Sequence, residues 1–279
     1  MKTINSLSGG KTSSYIAANY PADYDVFSLV RIEDKNCKFP DEKIRKEVED
    51  RIQAPFIGTA EDDMIIYTML DLEQYIGRPI TWLTGKTFEG IIKNHGGFLP
   101  NKIARYCTTD MKTIPIAEWR YNNIQEDVAM RFGYRANEMG RAKRMMENTN
   151  ANGMTEVKIV VGKHNNGNNK WKTIEYCKPE FPLIDAHLFK DTIEEYWKDK
   201  PVRFAYMNNC VGCWWRSPML LSHMSKRHPD KMDWFAKQEE SNKGRFKSEV
   251  SYREIMNYKT QFQLFDDDFN ECDSGYCGL

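Results

Sequence analysis

The most constraining feature of this chain is its first turn. A short apolar segment, residues 3–7, runs into Ser8-Gly9-Gly10-Lys11-Thr12-Ser13 and then into a helix-forming stretch, residues 12–19, that stops near Pro21. A strand, two adjacent glycines and a helix N-terminus bring backbone N–H groups and the positive end of the helix dipole to one point. Such a point captures phosphate. The glycines let the backbone approach a ligand closely, and Lys11 adds a cation. The Walker pattern, with four residues between its glycines, is absent. The plain alternative is a Gly-Gly turn with a Ser/Thr helix cap. The loop, however, occupies the first strand–helix junction, where open α/β sheets bind their ligands. Ser8, Gly9, Gly10, Lys11, Thr12 and Ser13 are therefore expected to hold a phosphate chain, with Lys11 as its catalytic cation.

The segments that follow keep alternating. Residues 26–32 (VFSLVRI) are expected to form a buried parallel strand, 40–52 a helix, and 55–58 a third short strand. Alternation of this kind predicts an α/β fold with a doubly wound, mostly parallel sheet and helices on both faces. Further helices are expected to start in 87–93 and to cover 110–119, 185–197 and 219–237, and a strand to cover 127–134. The Asn-rich stretch 148–169 surrounds a single expected strand, 157–161, and suggests a hairpin or insertion. Charge rises after residue 241, and 266–279 is an acidic tail carrying Cys272 and Cys277. The expected organisation is a nucleotide-binding domain over 1–240, with an insertion over 148–172, and a helical, Cys-containing C-terminal extension over 241–279.

Forty Lys and Arg balance forty Asp and Glu, so no global field draws the chain to nucleic acid or an anionic membrane. A nucleic-acid surface would have to be a local patch. No window approaches the roughly 18 apolar residues of a membrane span, and the N-terminus leaves no room for a signal peptide. A cytoplasmic location and no membrane partner are expected. Seven cysteines, an odd number spread unevenly, do not make a secreted disulfide scaffold. The close pair Cys210 and Cys213 points instead to metal or redox chemistry.

Six blocks in order resemble the phosphoadenosine phosphosulfate (PAPS) reductase-like branch of the adenine nucleotide alpha hydrolase, or PP-loop, superfamily. They are SGGKTS, the segment from Asp34 to Glu42 (DKNCKFPDE), and Arg105-Tyr106-Cys107-Thr108 with Lys112 and Pro115. Gly133-Tyr134-Arg135-Ala136-Asn137-Glu138 with Arg141, then Phe181-Pro182-Leu183-Ile184, and finally Cys210-Val211-Gly212-Cys213 complete the set. The resemblance runs from about residue 4 to 240 and implies a HUP-like fold. It also implies an adenine nucleotide site including Asp34, Gly133, Arg135, Glu138 and Arg141, with ATP or a related nucleotide as ligand and a magnesium ion as a further expectation. Members that split ATP to AMP and pyrophosphate usually carry an acidic residue where this chain has Thr12.

The resemblance would also bring Cys107, Cys210 and Cys213 together. Three thiolates suit an iron–sulfur cluster with one open iron. With His223 or His228 they would make a structural zinc site, and as plain core cysteines they would bind nothing. Arg131, Arg135, Arg141, Lys143 and Arg144 concentrate positive charge that suits an anionic substrate, or else a solvated helix face. Trp214 and Trp215 suit stacking on a base, shielding a cluster or filling core. PAPS reductases carry a nucleophilic Cys in a C-terminal Glu-Cys-Gly-Leu-His segment, and Cys277-Gly278-Leu279 matches part of it. Cys277 is thus a candidate nucleophile, although the surrounding carboxylates oppose a thiolate. Two enzyme activities follow: ATP-dependent adenylation with sulfur transfer, and sulfonucleotide reduction. A non-catalytic nucleotide-binding protein with structural zinc is the alternative. Partners beyond the nucleotide would be a nucleic acid or a thiol or sulfur-donor protein.

Overall fold

The structure is a computed structural model that describes residues 1–258. In chain order its elements are β1 (Lys2–Leu7), α1 (Lys11–Asn19), β2 (Tyr24–Leu29), β3 (Arg31–Ile32), α2 (Glu42–Ile52), β4 (Gly58–Thr59), α3 (Met64–Ile76) and β5 (Ile80–Thr84). Next come α4 (Phe88–Asn94), α5 (Tyr106–Thr108), α6 (Ile114–Asn123), β6 (Val128–Arg131), α7 (Met139–Glu147), β7 (Thr155–Lys163) and β8 (Asn169–Glu180). The helices α8 (Pro182–Asp185), α9 (Lys190–Trp197), α10 (Pro218–Arg227), α11 (Pro229–Ser241) and α12 (Tyr252–Met256) complete the described chain.

Two compact units, each built from separate stretches of sequence, make up the chain. The first comprises Met1–Ser28, Ile66–Leu83 and Thr113–Phe204; the second comprises Leu29–Ile65, Thr84–Lys112 and the chain from Ala205 onward. In the first unit a six-stranded sheet runs in the order β5-β2-β1-β6-β8-β7, flanked by helices. The β1–β2, β1–β6 and β6–β8 pairs are parallel, and β7 is antiparallel to its neighbour β8. The expected α/β class with a mostly parallel sheet is therefore observed. One face of the central strands is apolar, with Ile4, Val26, Val128 and Met130 buried together with Ile116 and Ala117 of α6, while on the other face the buried Asn5 amide donates to Asp25 at 2.9 Å.

The second unit packs α4, α10, α11 and α12 around an aromatic core of Phe88, Trp234, Phe235, Phe246 and Tyr252. Its only strands among the described residues are β3 and β4, two residues each and antiparallel.

Several element boundaries differ from the sequence expectations. The strand expected over 26–32 is interrupted at Val30, giving β2 and β3 in different sheets. The helix expected over 219–237 is two helices, because Pro229 lacks an amide to continue α10 and instead opens α11. The Asn-rich stretch holds one strand of a hairpin whose other strand, β8, extends into the core. Helix α3 and strand β5 lie outside the elements expected from the sequence. Helix α3 is MIIYTMLDLEQYI, apolar nearly all round, so it lacks the amphipathic contrast that marks a surface helix. Among the described residues no helix is long and apolar enough to cross a membrane.

Candidate functional site

The first unit carries the Gly9-Gly10 loop expected to hold phosphate. After β1, Gly9 takes φ +80°, a conformation that favours glycine, and Gly10 is the extended N-cap of α1. No side chain caps this helix and no acidic residue lies in its first turn. The positive helix end and its first amides are therefore not neutralised by a local side chain. The loop is held from within by Ser13. Its hydroxyl accepts from the Ser8 N–H at 3.1 Å, lies 3.2 Å from the Ser8 hydroxyl, and has the Gly10 carbonyl at 3.1 Å. Helix α9 anchors the other side, where Trp197 Nε1 donates to the Lys11 carbonyl at 2.9 Å. Lys11 Nζ is 4.0 Å from Glu194, with both side chains about one-third exposed, a contact weak enough for an anion to displace.

The turn after β6 lies directly against this loop. A Cβ on Gly133 would stand 3.3 Å from Thr12 Cγ2 and 3.5 Å from the Ser13 nitrogen. Beyond it, Glu138 receives two guanidinium groups, Arg135 Nε at 3.1 Å and Arg141 Nη1 at 2.7 Å. Glu138 also accepts from the Arg135 N–H at 3.0 Å. The Arg141 guanidinium lies 4.1 Å over the Tyr134 ring, which stacks on Phe181 at 5.4 Å. These two arginines, expected as anion forks, are thus oriented by a carboxylate. Arg131 instead secures the fold, donating to the carbonyls of Tyr20 and Pro21, and Lys143 is an exposed partner of Glu147.

Asp34 belongs to the second unit. Its carboxylate caps the one-turn helix Lys35–Cys37, accepting from the Asn36 N–H at 2.8 Å.

The second unit gathers the three expected thiols. Cys107, Cys210 and Cys213 line one cavity of about 40 Å³, walled by Trp214, Trp215, Phe235 and Phe246. None of the three forms a disulfide among the described residues. Burial pushes the Cys107 thiol up to about 11 and the Cys210 thiol well above its ordinary value. The Cys210–Cys213 segment is a tight turn closed by Cys213 N–H to Cys210 carbonyl at 3.1 Å. Gly212 is required there because an added Cβ would lie 2.5 Å from the Phe235 ring. The Arg105 guanidinium lies 5.0 Å over Trp215 at the same cavity wall. Among the described residues no group of three His, Cys, Asp or Glu is close enough to hold a metal ion. Neither His223 nor His228 lines the cavity; His228 pairs with Asp62 at 3.2 Å, and the His223 ring lies beside Tyr206.

Two charged features beside the thiols escape sequence reasoning, Glu61 because its partners are far away in the chain and Arg216 because its burial is set by tertiary packing. Glu61 is fully buried, forms a β-bridge with Cys210, and takes the Lys112 ammonium at 2.8 Å on one oxygen. Its other oxygen has no hydrogen-bond partner. Arg216, only 2% exposed, donates through its backbone N–H to Cys213 and through Nη2 to the Asn208 carbonyl. Its Nε and Nη1 have no hydrogen-bond partner. Cys272 and Cys277 lie outside the described residues.

The chain matches no family profile, no curated protein and no solved structure.

Proposed function

We propose that this chain is a PP-loop enzyme of the PAPS reductase-like family, with a HUP-like doubly wound fold, that uses ATP for adenylation coupled to sulfur transfer. The observation that carries the nucleotide site is the uncapped N-terminus of α1, preceded by Gly9 and Gly10 and stapled by Ser13. Such a helix end offers N–H groups and a dipole to a phosphate without moving any side chain. Gly133 brings the Arg135–Glu138–Arg141 network to the same loop. Glu138 orients the guanidinium groups, and a nucleotide phosphate would share them.

The thiol cavity supports the sulfur chemistry. Three cysteines line it, and thiolates suit soft metal centres. A buried guanidinium such as Arg216, lacking a carboxylate on two of its nitrogens, fits an anionic group nearby. Cys107, Cys210 and Cys213 would have to draw closer than they stand here to hold an iron–sulfur cluster, which would supply an open iron for sulfur binding. The chain's own residues wall it from water with Trp214 and Trp215. A zinc site built from the same thiols plus a histidine has less support, since no histidine lines the cavity.

Calorimetric titration of ATP tests the nucleotide site. Lys11→Ala and Gly10→Val are expected to weaken binding at least tenfold with the fold intact, and unchanged affinity in either removes the assignment. Anaerobic purification with iron and zinc analysis tests the cavity. Brown protein absorbing broadly in the visible supports the cluster, about one zinc per chain supports the structural site, and neither metal ends the idea. Sulfonucleotide reduction is the second reading, favoured by the Cys277-Gly278-Leu279 terminus. There Cys277 would attack the sulfur of PAPS, breaking its S–O bond and expelling adenosine 3′,5′-bisphosphate, and a thiol donor would attack the resulting S-sulfocysteine, releasing sulfite and leaving a disulfide. Thiol-dependent sulfite release from PAPS, lost in Cys277→Ser, would replace adenylation as the activity. Release of AMP and pyrophosphate from ATP, retained in that variant, supports adenylation.

A further inference from the structure

The β7–β8 hairpin has more length than its packing uses. At its base Ile159, Ile174, Tyr176 and Cys177 are buried in the sheet core. From Gly162 to Thr173 every residue is exposed. The outer ribbon therefore meets water on both faces, and a two-stranded ribbon without a covered face is marginal on its own. Folding does not account for it.

Its chemistry is one-sided. Residues 157–172 carry Lys158, Lys163, Lys170, Lys172 and His164 and no acidic residue, in a chain whose charges otherwise balance. Trp171 is 51% exposed on the ribbon, with the Lys158 ammonium 5.6 Å over its ring. Lys172 reaches across to the Tyr121 hydroxyl at 3.2 Å. At the tip an open hollow of about 620 Å³ is lined by Lys163, His164, Asn165, Asn166, Asn168 and Lys170. The tip has a defined conformation: Asn166 Oδ1 accepts from the Asn168 N–H at 3.1 Å, and the His164 N–H donates to the Asn168 carbonyl at 2.8 Å.

We propose that this hairpin is a nucleic-acid grip. A two-stranded ribbon is an element that the major groove of a duplex admits. Lysines along it neutralise phosphates, and asparagine amides at the tip suit the paired donor and acceptor of adenine. An exposed tryptophan provides a surface on which an unpaired base stacks. The lysines alone would also attract an acidic protein, but the tryptophan and the asparagine-lined tip favour a polymer that offers base faces and base edges. The hairpin is the local patch that a chain of zero net charge requires in order to bind nucleic acid at all. The proposal rests on the hairpin surface and is independent of what the phosphate loop binds.

The test is fluorescence anisotropy of the full chain with a labelled duplex of two helical turns and with the corresponding single strand, across a salt series. In the triple variant Lys158→Gln, Lys163→Gln, Lys170→Gln, the slope of log affinity against log salt should shrink by about 2.7 on the duplex or about 2 on the single strand. The matching Lys→Arg triple should keep the wild-type slope. Trp171→Ala should weaken the single strand roughly fivefold or more while sparing the duplex. These residues are exposed, so unchanged melting temperatures would show that the variants are folded. The proposal is overturned if wild type binds neither probe at low salt, or if the triple Gln variant keeps the wild-type slope on both. Equal binding of polyglutamate with the same lysine dependence would also overturn it, in favour of an acidic protein.

Discussion

Replacing Lys112 by Met would leave the Glu61 carboxylate buried without a cation. In the native chain Lys112 Nζ stands 2.8 Å from Glu61 Oε1, with the two side chains 21% and 0% exposed. The second carboxylate oxygen already lacks a hydrogen-bond partner, so no neighbour is positioned to take over. Removing one member of a buried pair typically costs about 3–5 kcal/mol, because the remaining charge stays desolvated. Lys112 is partly exposed, which lets water approach the carboxylate and sets the expected cost near the lower end, about 3 kcal/mol. At roughly 2–4 °C per kcal/mol for a chain of this size, the melting temperature should fall by about 6–12 °C. Thermal unfolding by circular dichroism measures this. The double variant Glu61→Gln, Lys112→Met removes both charges and should recover about half the loss, giving a coupling of 1 kcal/mol or more by a double-mutant cycle. A loss below about 1 kcal/mol in the single variant, or additive costs in the double, would refute the claim that the pair is a buried, mutually dependent charge pair.

Gly212→Ala places a Cβ 2.5 Å from the Phe235 ring and should cost about 1–3 kcal/mol in urea denaturation. Gly140→Ala in α7, where an added Cβ meets nothing within 4 Å, should instead be neutral or stabilise by up to about 1 kcal/mol. Equal effects at the two sites would contradict both expectations. Asp23 accepts from the Thr3 N–H at 2.8 Å and from Lys2, and the backbone bond to Thr3 chiefly lowers its carboxyl to about 2. Because the folded value lies below the unfolded one, its contribution is present above about pH 4 and is lost as pH falls toward 2. The stability gap between wild type and Asp23→Asn should therefore close over that window, and a gap independent of pH would exclude this role. Trp197→Phe keeps the ring but removes the donor to the Lys11 carbonyl, so it should cost about 1 kcal/mol. It should also weaken ATP binding in the same titration used for Lys11→Ala; unchanged stability and affinity would show that α9 does not anchor the loop.

The phosphate loop was legible in the sequence because every part of its signal is local. The apolar strand, the paired glycines and the start of α1 all fall within residues 3–19, and the structure has them as strand, turn and helix. The alternation that announced a parallel sheet was legible for the same reason. The cysteines were legible as a spacing, and the structure brings all three to one cavity wall. Less was visible where burial removes pattern. Helix α3 reads as a largely apolar run with Asp71, Glu73 and Gln74 in its second half, and β8 starts inside a stretch rich in Asn and Lys, so neither carries a clear surface-element signal. The arginines show how far composition reaches. Their clustering after β6 was plain, but the pairing of Arg135 and Arg141 with a single carboxylate, Glu138, was not.

By itself the sequence determined the α/β class, the loop at the first strand–helix junction and the close spacing of Cys210 and Cys213. Each of these follows from side chains and backbone preferences within a turn or two of one another. Only the tertiary structure decided that Glu61 and Lys112 stand beside Cys210, that Arg216 is buried next to Cys213 with two nitrogens unpartnered, and that the β7–β8 ribbon extends past its core with lysines and a tryptophan exposed. These are matters of burial and of partners far apart in the chain. Whether a charged side chain meets water, a counter-ion or neither is set by the packing around it, and no local pattern of residues records that packing.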